Sequence, residues 1–542
     1  MTIRLLRRLE SWIVLLSSLG LSCVITYPLV AKLGSSGRVD TGDGRLSIWN
    51  VAWVARTLII DPLHLFDANI FHPNRGTLAY SENNIGAGIL GVPVYWATLN
   101  AYATHNAVVL MAFTLSATGM YYLVRHLTGD RRAAAISGIL FAYSPHVFAH
   151  TAHIQLLMTA GLPFSMLAFH RLVEWPGIGR AIQLGGVLAA QAISCGYYGI
   201  FVALMVGFAV LVYAALGGWR QKGYWMAVAL SALVAIMLVV PLFVPYAALQ
   251  AETGFGRGLE EARRYSADWR AYLASAAYLH AWMLSYLGPW NEVLFPKFAA
   301  IVLGLAGLAV VAARKRWDLL ATYGGLTLLA FWSSFGPDAG LYAVMYRMLP
   351  VFEWLRAPAR FGLIVIFGLS VLSGIAVAGL VPRTRRGHVI CGALVACAVA
   401  ESMVSYPVVE AAPLSPAYRV LAIVPYGPVI EMPFFYRRGD FPQHTIYMLN
   451  STSHWKPLVN GYSDHFPVDF IADVMTLAPF PSRDGFRVLQ SKGVRYALFH
   501  MYGYNDENRR DVLARLKEFE SYLRPLYIDD QTRLYEIVGF PS

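Results

Sequence analysis

Two carboxylates three residues apart, Asp40 and Asp43, stand in the run Arg38-Val39-Asp40-Thr41-Gly42-Asp43-Gly44-Arg45. A carboxylate held among glycines and partly withdrawn from water is suited to general-base work. Asp and Gly also build ordinary solvated turns, and that reading stands beside the first. Farther along the same stretch, Leu65–Pro73 (with Asp67, Asn69 and His72) and Tyr80–Asn84 (with Glu82) concentrate polar and aromatic groups. Such a set can line a sugar pocket, rings stacking on the sugar while acids and amides take its hydroxyls. Taken singly, Asp67 and Asn69 fit turn caps better than a pocket.

A second set is basic. Arg356 and Arg360 flank Pro358 where an apolar run begins, and Pro fits the first turn of a helix. Guanidinium groups four apart beside unpaired helix N–H groups make a phosphate site, or they reach to lipid headgroups. Arg263 and Arg264 lie in a segment of mixed sign, 257–270, and are weaker phosphate candidates, since a solvated helix face explains most of that segment. His146, His150 and His153 are spaced i, i+4, i+7, the spacing of a metal face on a continuous helix. Pro145 argues against a straight helix there, and no carboxylate nearby in sequence completes the set. A Zn²⁺ site is thus the less favoured reading of these three histidines.

These residues need elements to carry them, and composition says which. Of 542 residues, 57% are hydrophobic and 14% charged, with a mean hydropathy of +0.49. Soluble domains carry about 25% charged residues. Eleven apolar runs near the length of a bilayer span are predicted. They are Ser11–Ala31, Asn106–Val124, Ala133–Phe148, Leu156–Leu172, Ala181–Tyr197, Gly199–Leu216, Tyr224–Ala247, Phe298–Ala313, Leu319–Phe335, Phe361–Val381 and Val389–Tyr406. The first is read as a retained helix, because no small-x-small cleavage site ends it.

Charge sets the orientation. Residues 1–406 hold 29 basic and 17 acidic side chains, and the rest hold 14 and 15, so the basic excess belongs to the apolar part and points away from nucleic acid. With the N-terminus inside, the inner segments, from Arg4, Arg7 and Arg8 to Arg383, Arg385 and Arg386, carry 16 basic against four acidic residues. Counting the Gly- and Pro-interrupted stretch Ile85–Ala101 as a span would reverse that, so it is read as juxtamembrane or re-entrant on the outer side. The predicted fold is mainly α, a polytopic membrane domain over 1–406 with about 11 transmembrane helices. Its outer loops run over 32–105 and 250–297. A small α/β extracytoplasmic domain follows over 407–542, with strands near Gly427–Met432, Val494–His500 and Leu534–Val538 and a helix over Asp511–Leu523. The four cysteines lie in apolar runs, so no disulfide is expected in the tail.

Location constrains chemistry. An acid on the outer side is out of reach of a soluble nucleotide donor in the cytoplasm, so a transferred group would arrive on a lipid. The arrangement resembles the GT-C class of integral-membrane glycosyltransferases, including protein O-mannosyltransferases and the aminoarabinose transferase acting on lipid A. Asp40-x-x-Asp43 matches the first-loop acid of that class by position. Gly91-Val92-Pro93-Val94-Tyr95-Trp96 resembles its juxtamembrane segment, and Arg125-His126-Leu127-Thr128-Gly129 its first cytoplasmic turn. Ala142-Tyr143-Ser144-Pro145 resembles the phrase ending the next span. The chain is also similar to large bacterial members with an outer C-terminal domain, through Asp67-Ala68-Asn69-Ile70-Phe71, His153-Ile154-Gln155-Leu156-Leu157 and Asn460-Gly461-Tyr462-Ser463. The chain departs from the class in that neither its usual acid pair nor its downstream Pro-Pro or His-x-Pro element is cleanly reproduced.

The resemblance implies a bacterial inner-membrane enzyme that moves a sugar from a polyprenyl-phosphate carrier to an acceptor glycan, lipid or protein outside, with inversion. Asp43 or Asp40 would be the base. Arg356 and Arg360, with Arg263 and Arg264 behind them, would hold phosphate, and Glu82 and His72 would line the pocket. Donors linked through one phosphate in that class generally do without a catalytic metal, so the resemblance implies no metal and no cofactor. Tyr436, Tyr447, His454, Trp455, Tyr462 and His465 would meet the acceptor. The rival is a transporter or scaffold for lipid-linked glycans. It would place ionisable or Gly/Pro-broken positions near span centres in both halves, whereas the charges here lie at span ends and in outer loops.

Overall fold

The computed structural model describes residues 2–254 and 256–541. The side chains of residues 2–7, Arg4 and Arg7 of the inner charge set among them, lie outside that description. The chain is mainly helical, with six short strands among the described residues. Among the described residues, five helices are long and apolar enough to cross a membrane: Arg8–Ile25, Ala101–Thr128, Gly196–Ala215, Lys222–Thr253 and Pro358–Leu380.

Two compact units form, and they do not follow chain order. One comprises Met1–Ala31 with Val108–Pro407, the other Lys32–Ala107 with Val408–Ser542. Lys32–Ala107, placed by sequence with residues 1–406, thus groups with Val408–Ser542.

The first unit is a helix assembly whose close approaches fall at glycines. A methyl group on Gly307 would sit 2.0 Å from the Leu372 carbonyl oxygen, where Phe298–Ala313 crosses Gly362–Leu380. One on Gly185 would sit 2.5 Å from the Ser231 carbonyl oxygen, where Ile178–Ser194 crosses Lys222–Thr253. Small residues let apolar helices pack backbone to backbone, where dispersion is collected without a hydrophobic driving force. Several predicted spans are shorter or broken. Ala133–Phe148 is a 12-residue helix, Arg131–Ala142, whose N-cap Asp130 accepts from Arg132 N at 2.8 Å; a separate turn, Pro145–Ala149, follows. Proline fixes its own φ and bars the residue before it from helix, so the run stops at Tyr143. Leu156–Leu172 likewise divides into Ile154–Leu157 and Gly161–Glu174. Leu319–Phe335 passes through a π turn, Leu320–Gly324.

In the second unit, Tyr496–His500, buried throughout, is the central strand. It pairs in parallel with Val429–Met432 and antiparallel with Thr532–Ile537, which pairs antiparallel with Leu523–Ile528. The sequence reading missed Leu523–Ile528. It is an edge strand carrying Pro525 beside a register shift, and edges and bulges are where a sheet tolerates proline. The predicted helix lies earlier, at Asp506–Glu518.

The segment 32–105 docks on this sheet through backbone. Leu458 N donates to Asn69 O at 2.9 Å, His72 N to Leu458 O at 2.8 Å, and Val459 N to Val429 O at 2.9 Å. Ser36–Gly37 pairs antiparallel with Val409–Glu410. Ile85–Thr98 is a helix containing Pro93. It lies against Gly42–Ile60 so closely that a methyl on Gly88 would meet Val54 Cγ1 at 2.2 Å.

Candidate functional site

The acidic turn belongs to the second unit. Thr41 caps the helix Gly42–Ile60 by accepting from Gly44 N at 3.1 Å, which sets Asp43 in the first turn. A methyl on Gly44 would lie 1.9 Å from the Arg38 carbonyl oxygen, so glycine is required where the incoming chain passes the helix start. Arg45 fixes the turn further: Nη1 donates to Val39 O at 2.6 Å and Nε to Thr445 Oγ1 at 2.8 Å.

The two predicted bases are held differently. Asp40 is exposed and accepts from Arg38 Nε at 2.9 Å and Nη2 at 3.1 Å. Burial works to raise its carboxyl, but the Arg38 hydrogen bonds and charge, with Arg45 behind them, bring it below its ordinary value. Asp43 is half-buried.

Most pocket candidates of the same loop hold backbone. Asp67 accepts from Gly76 N at 2.8 Å, and Asn83 from Ile85 N at 2.9 Å. Asn69 accepts from Trp49 Nε1 at 3.1 Å and donates to Ser451 Oγ at 3.0 Å. His72 Nε2 meets the Lys492 carbonyl at 2.9 Å; burial holds this imidazole below its ordinary value, against that hydrogen bond. Half-buried Glu82 offers its carbonyl to Asn50 Nδ2 at 3.1 Å.

The aromatic set of the tail divides. Tyr447 is core, its hydroxyl donating to Pro433 O at 3.0 Å and its ring stacked on His500. His454 is packed against Tyr418, and Tyr436 is exposed. Trp455 adopts a left-handed φ of 53° under the Arg56 guanidinium, 5.3 Å from its ring, with Nε1 donating to Tyr95 Oη at 3.2 Å. Such a backbone is uncommon for a bulky residue.

The basic set belongs to the first unit. Pro358 keeps Ala357 extended, so Arg356 precedes a short 3-10 turn, Pro358–Phe361, that carries Arg360. The two arginines therefore do not share one α-helical face, as their spacing predicts. Arg356 lies over Tyr265 at 5.5 Å and Arg360 over Tyr197 at 4.7 Å. Tyr197 clasps the turn, donating to Ala357 O at 2.6 Å and accepting from Ala357 N at 3.0 Å. Arg263 donates to Asp338 at 2.8 Å and pairs with Glu260, so its charge is answered by two carboxylates; Arg264 is exposed.

Beside Arg360 stands a group only half legible in sequence. His146 and His150 rings lie 4.5 Å apart, and Glu292 Oε1 lies 3.5 Å from His150 Nε2. The Arg360 charge acts on both His146 and Glu292. The carboxylate that the local sequence lacks comes from Glu292, more than 140 residues downstream, and no spacing rule reaches that far.

No protein-family model matches the chain, and no curated protein sequence matches it. Among solved structures, the oligosaccharyltransferase AglB from Archaeoglobus fulgidus, in complex with an inhibitory peptide and a dolichol-phosphate, matches at 13% identity and a TM-score of 0.47, over 96% of this chain and 73% of that one. An oligosaccharyltransferase of the same organism, in complex with Zn and sulfate, matches at 14% identity and a TM-score of 0.48, over 97% and 72%. ArnT from Cupriavidus metallidurans matches at 14% identity and 0.37, over 91% and 94%. With every TM-score below 0.5, these matches carry no weight for the site, whose reading rests on the residues above.

Proposed function

We propose that the chain is a multi-pass membrane glycosyltransferase moving a sugar from a polyprenyl-phosphate carrier to an acceptor hydroxyl on the extracytoplasmic side. The observation that carries this reading is the built start of helix Gly42–Ile60. Thr41, Gly44 and Arg45 each fix the turn that presents Asp43, and a base held in one geometry is what proton abstraction requires. Asp40, chelated by Arg38, suits the part of a turn-former, so the base is assigned to Asp43.

In this reading the acceptor oxygen bonds to the anomeric carbon as the bond from that carbon to the phosphate oxygen breaks. The acceptor proton passes to the Asp43 carboxylate. Attack opposite the leaving group inverts the anomeric centre. The departing polyprenyl phosphate gains negative charge, which a guanidinium group is suited to offset, and Arg356 and Arg360 are the first unit's candidates for binding phosphate. His72, bonded to Lys492 O, is taken as loop support; Glu82 keeps its place as a pocket candidate.

The test is sugar transfer in membranes supplied with a panel of polyprenyl-phosphate sugars, comparing wild type with Asp43→Asn at equal protein abundance. Loss of transfer in the variant supports the reading. Unchanged transfer removes the assigned base. No transfer by wild type with any donor, while a control enzyme works in the same membranes, moves the chain to the transporter or scaffold class.

A further inference from the structure

His146 is fully buried, and only one of its ring nitrogens is accounted for. Nδ1 lies 3.1 Å from Val293 O and donates to it, while Nε2 has no hydrogen-bond partner among the described residues. A buried polar atom left this way costs about 1–3 kcal/mol and calls for an explanation. His150 repeats the pattern. Its Nδ1 donates to the His146 carbonyl at 2.8 Å, which leaves the Nε2 lone pair turned toward Glu292. The 3.5 Å from His150 Nε2 to Glu292 Oε1 is longer than a good hydrogen bond. Two imidazoles whose Nδ1–H groups are spent on carbonyls and whose Nε2 atoms converge on a carboxylate have the orientation of metal ligands with their outer partners in place.

The ligand atoms of His146, His150 and Glu292 lie within 4.8 Å of one another. Ligands about 2.0–2.1 Å from a tetrahedral Zn²⁺ lie roughly 3.3 Å apart, so side-chain rotations of about an ångström close the set. We propose that His146, His150 and Glu292 bind one divalent cation of the Zn²⁺ class. Two neutral nitrogens and one carboxylate suit that borderline ion better than Mg²⁺ or Ca²⁺, which prefer all-oxygen shells. His153, its ring 6.5 Å from that of His150, stands outside the set. The competing explanation is a polar cluster in which Glu292 serves only as counter-ion to His150 and Arg360. The proposal does not depend on the transfer reaction.

The test uses the full chain in detergent, freed of any histidine tag, stripped with EDTA and titrated with Co²⁺ alone. One equivalent should bind with the visible absorption of a four- or five-coordinate ion, and Zn²⁺ should displace it. Glu292→Gln and His150→Ala should each weaken binding at least 100-fold while eluting as the wild type does on size exclusion. Binding without visible bands, or with unchanged affinity in the variants, overturns the site. Should the variants fail to fold, X-ray absorption of the Zn²⁺-loaded wild type decides: scattering from two imidazoles supports the site, and a shell without imidazole overturns it.

Discussion

Arg45 Nε donates to Thr445 Oγ1 at 2.8 Å across 400 positions of sequence. One guanidinium thus spans the acidic turn, through Val39 O, and the helix His444–Asn450 of the tail. The residues that present Asp43 are held by a segment from the far end of the chain, and the stiffness of the turn is a property of the whole unit.

Arg45→Met should therefore loosen the turn without touching a carboxylate. It removes hydrogen bonds from a partly buried charged group, each worth about 1.5–3 kcal/mol, and Thr445→Val removes one acceptor at about 1 kcal/mol. Protease cleavage within residues 38–45 should speed up in both, more in Arg45→Met. Equal cleavage in wild type and variants would show that the contact does not hold the turn.

Asp40→Asn and Asp43→Asn should part company. Loss of a general base costs about 10²–10⁴-fold, and that loss is expected for Asp43→Asn alone. Asp40→Asn gives up the Arg38 chelate and should slow transfer only several-fold. Rates measured side by side in membranes check this, and the reverse order would move the base to Asp40.

Arg360→Ala should lower kcat/KM for the lipid donor by about 10²–10³-fold, as removal of a preorganised charge stabiliser does. Arg360→Lys should fall between, since lysine keeps the charge but loses the planar fork and the stacking on Tyr197. A lysine variant as poor as alanine would assign the role to shape and not to charge.

Acid should destabilise the second unit through His444. Its Nε2 donates to Phe435 O at 3.1 Å, and Nδ1 faces Asn460 Nδ2 at 3.2 Å as an acceptor. Burial brings this imidazole down to about 4, against the Phe435 bond. An unfolded chain takes up a proton near pH 6.5 that the folded one refuses, so the contribution is complete above 6.5 and is lost as pH falls toward 4, by about 3 kcal/mol at most. Buried His454, brought down to about 3, acts in the same sense. Thermal midpoints from pH 7 to 4 should fall less steeply in His444→Gln than in wild type, and parallel curves would exclude His444 as the sensor.

What could be read from sequence was what local pattern encodes. Apolar runs mark the helices because lipid-length hydrophobicity is a property of consecutive residues. Three strands were placed within about two residues because alternation and flanking turns are local too. The acidic pair and the basic turn stood out by residue type. The sharing of Lys32–Ala107 with the tail, the tether from Arg45 and the arrival of Glu292 beside His146 did not, because each depends on contacts between distant segments. The separation of Arg356 from Arg360 was missed for a smaller reason: helical spacing was carried through Pro358, which interrupts it.

The split composition of the second unit sets a timetable. Lys32–Ala107 leaves the ribosome long before its partner Val408–Ser542, with the 300 residues of Val108–Pro407 made in between. At about 5–20 residues per second that delay is roughly 15–60 s. During it, the edge at Asn69–His72 lacks Leu458 and the guanidinium of Arg45 lacks Thr445. Newly made chains thus pass through a stage in which the segment bearing Asp43 is complete in sequence but unfinished in shape, open to protease and to quality control until the last strand arrives.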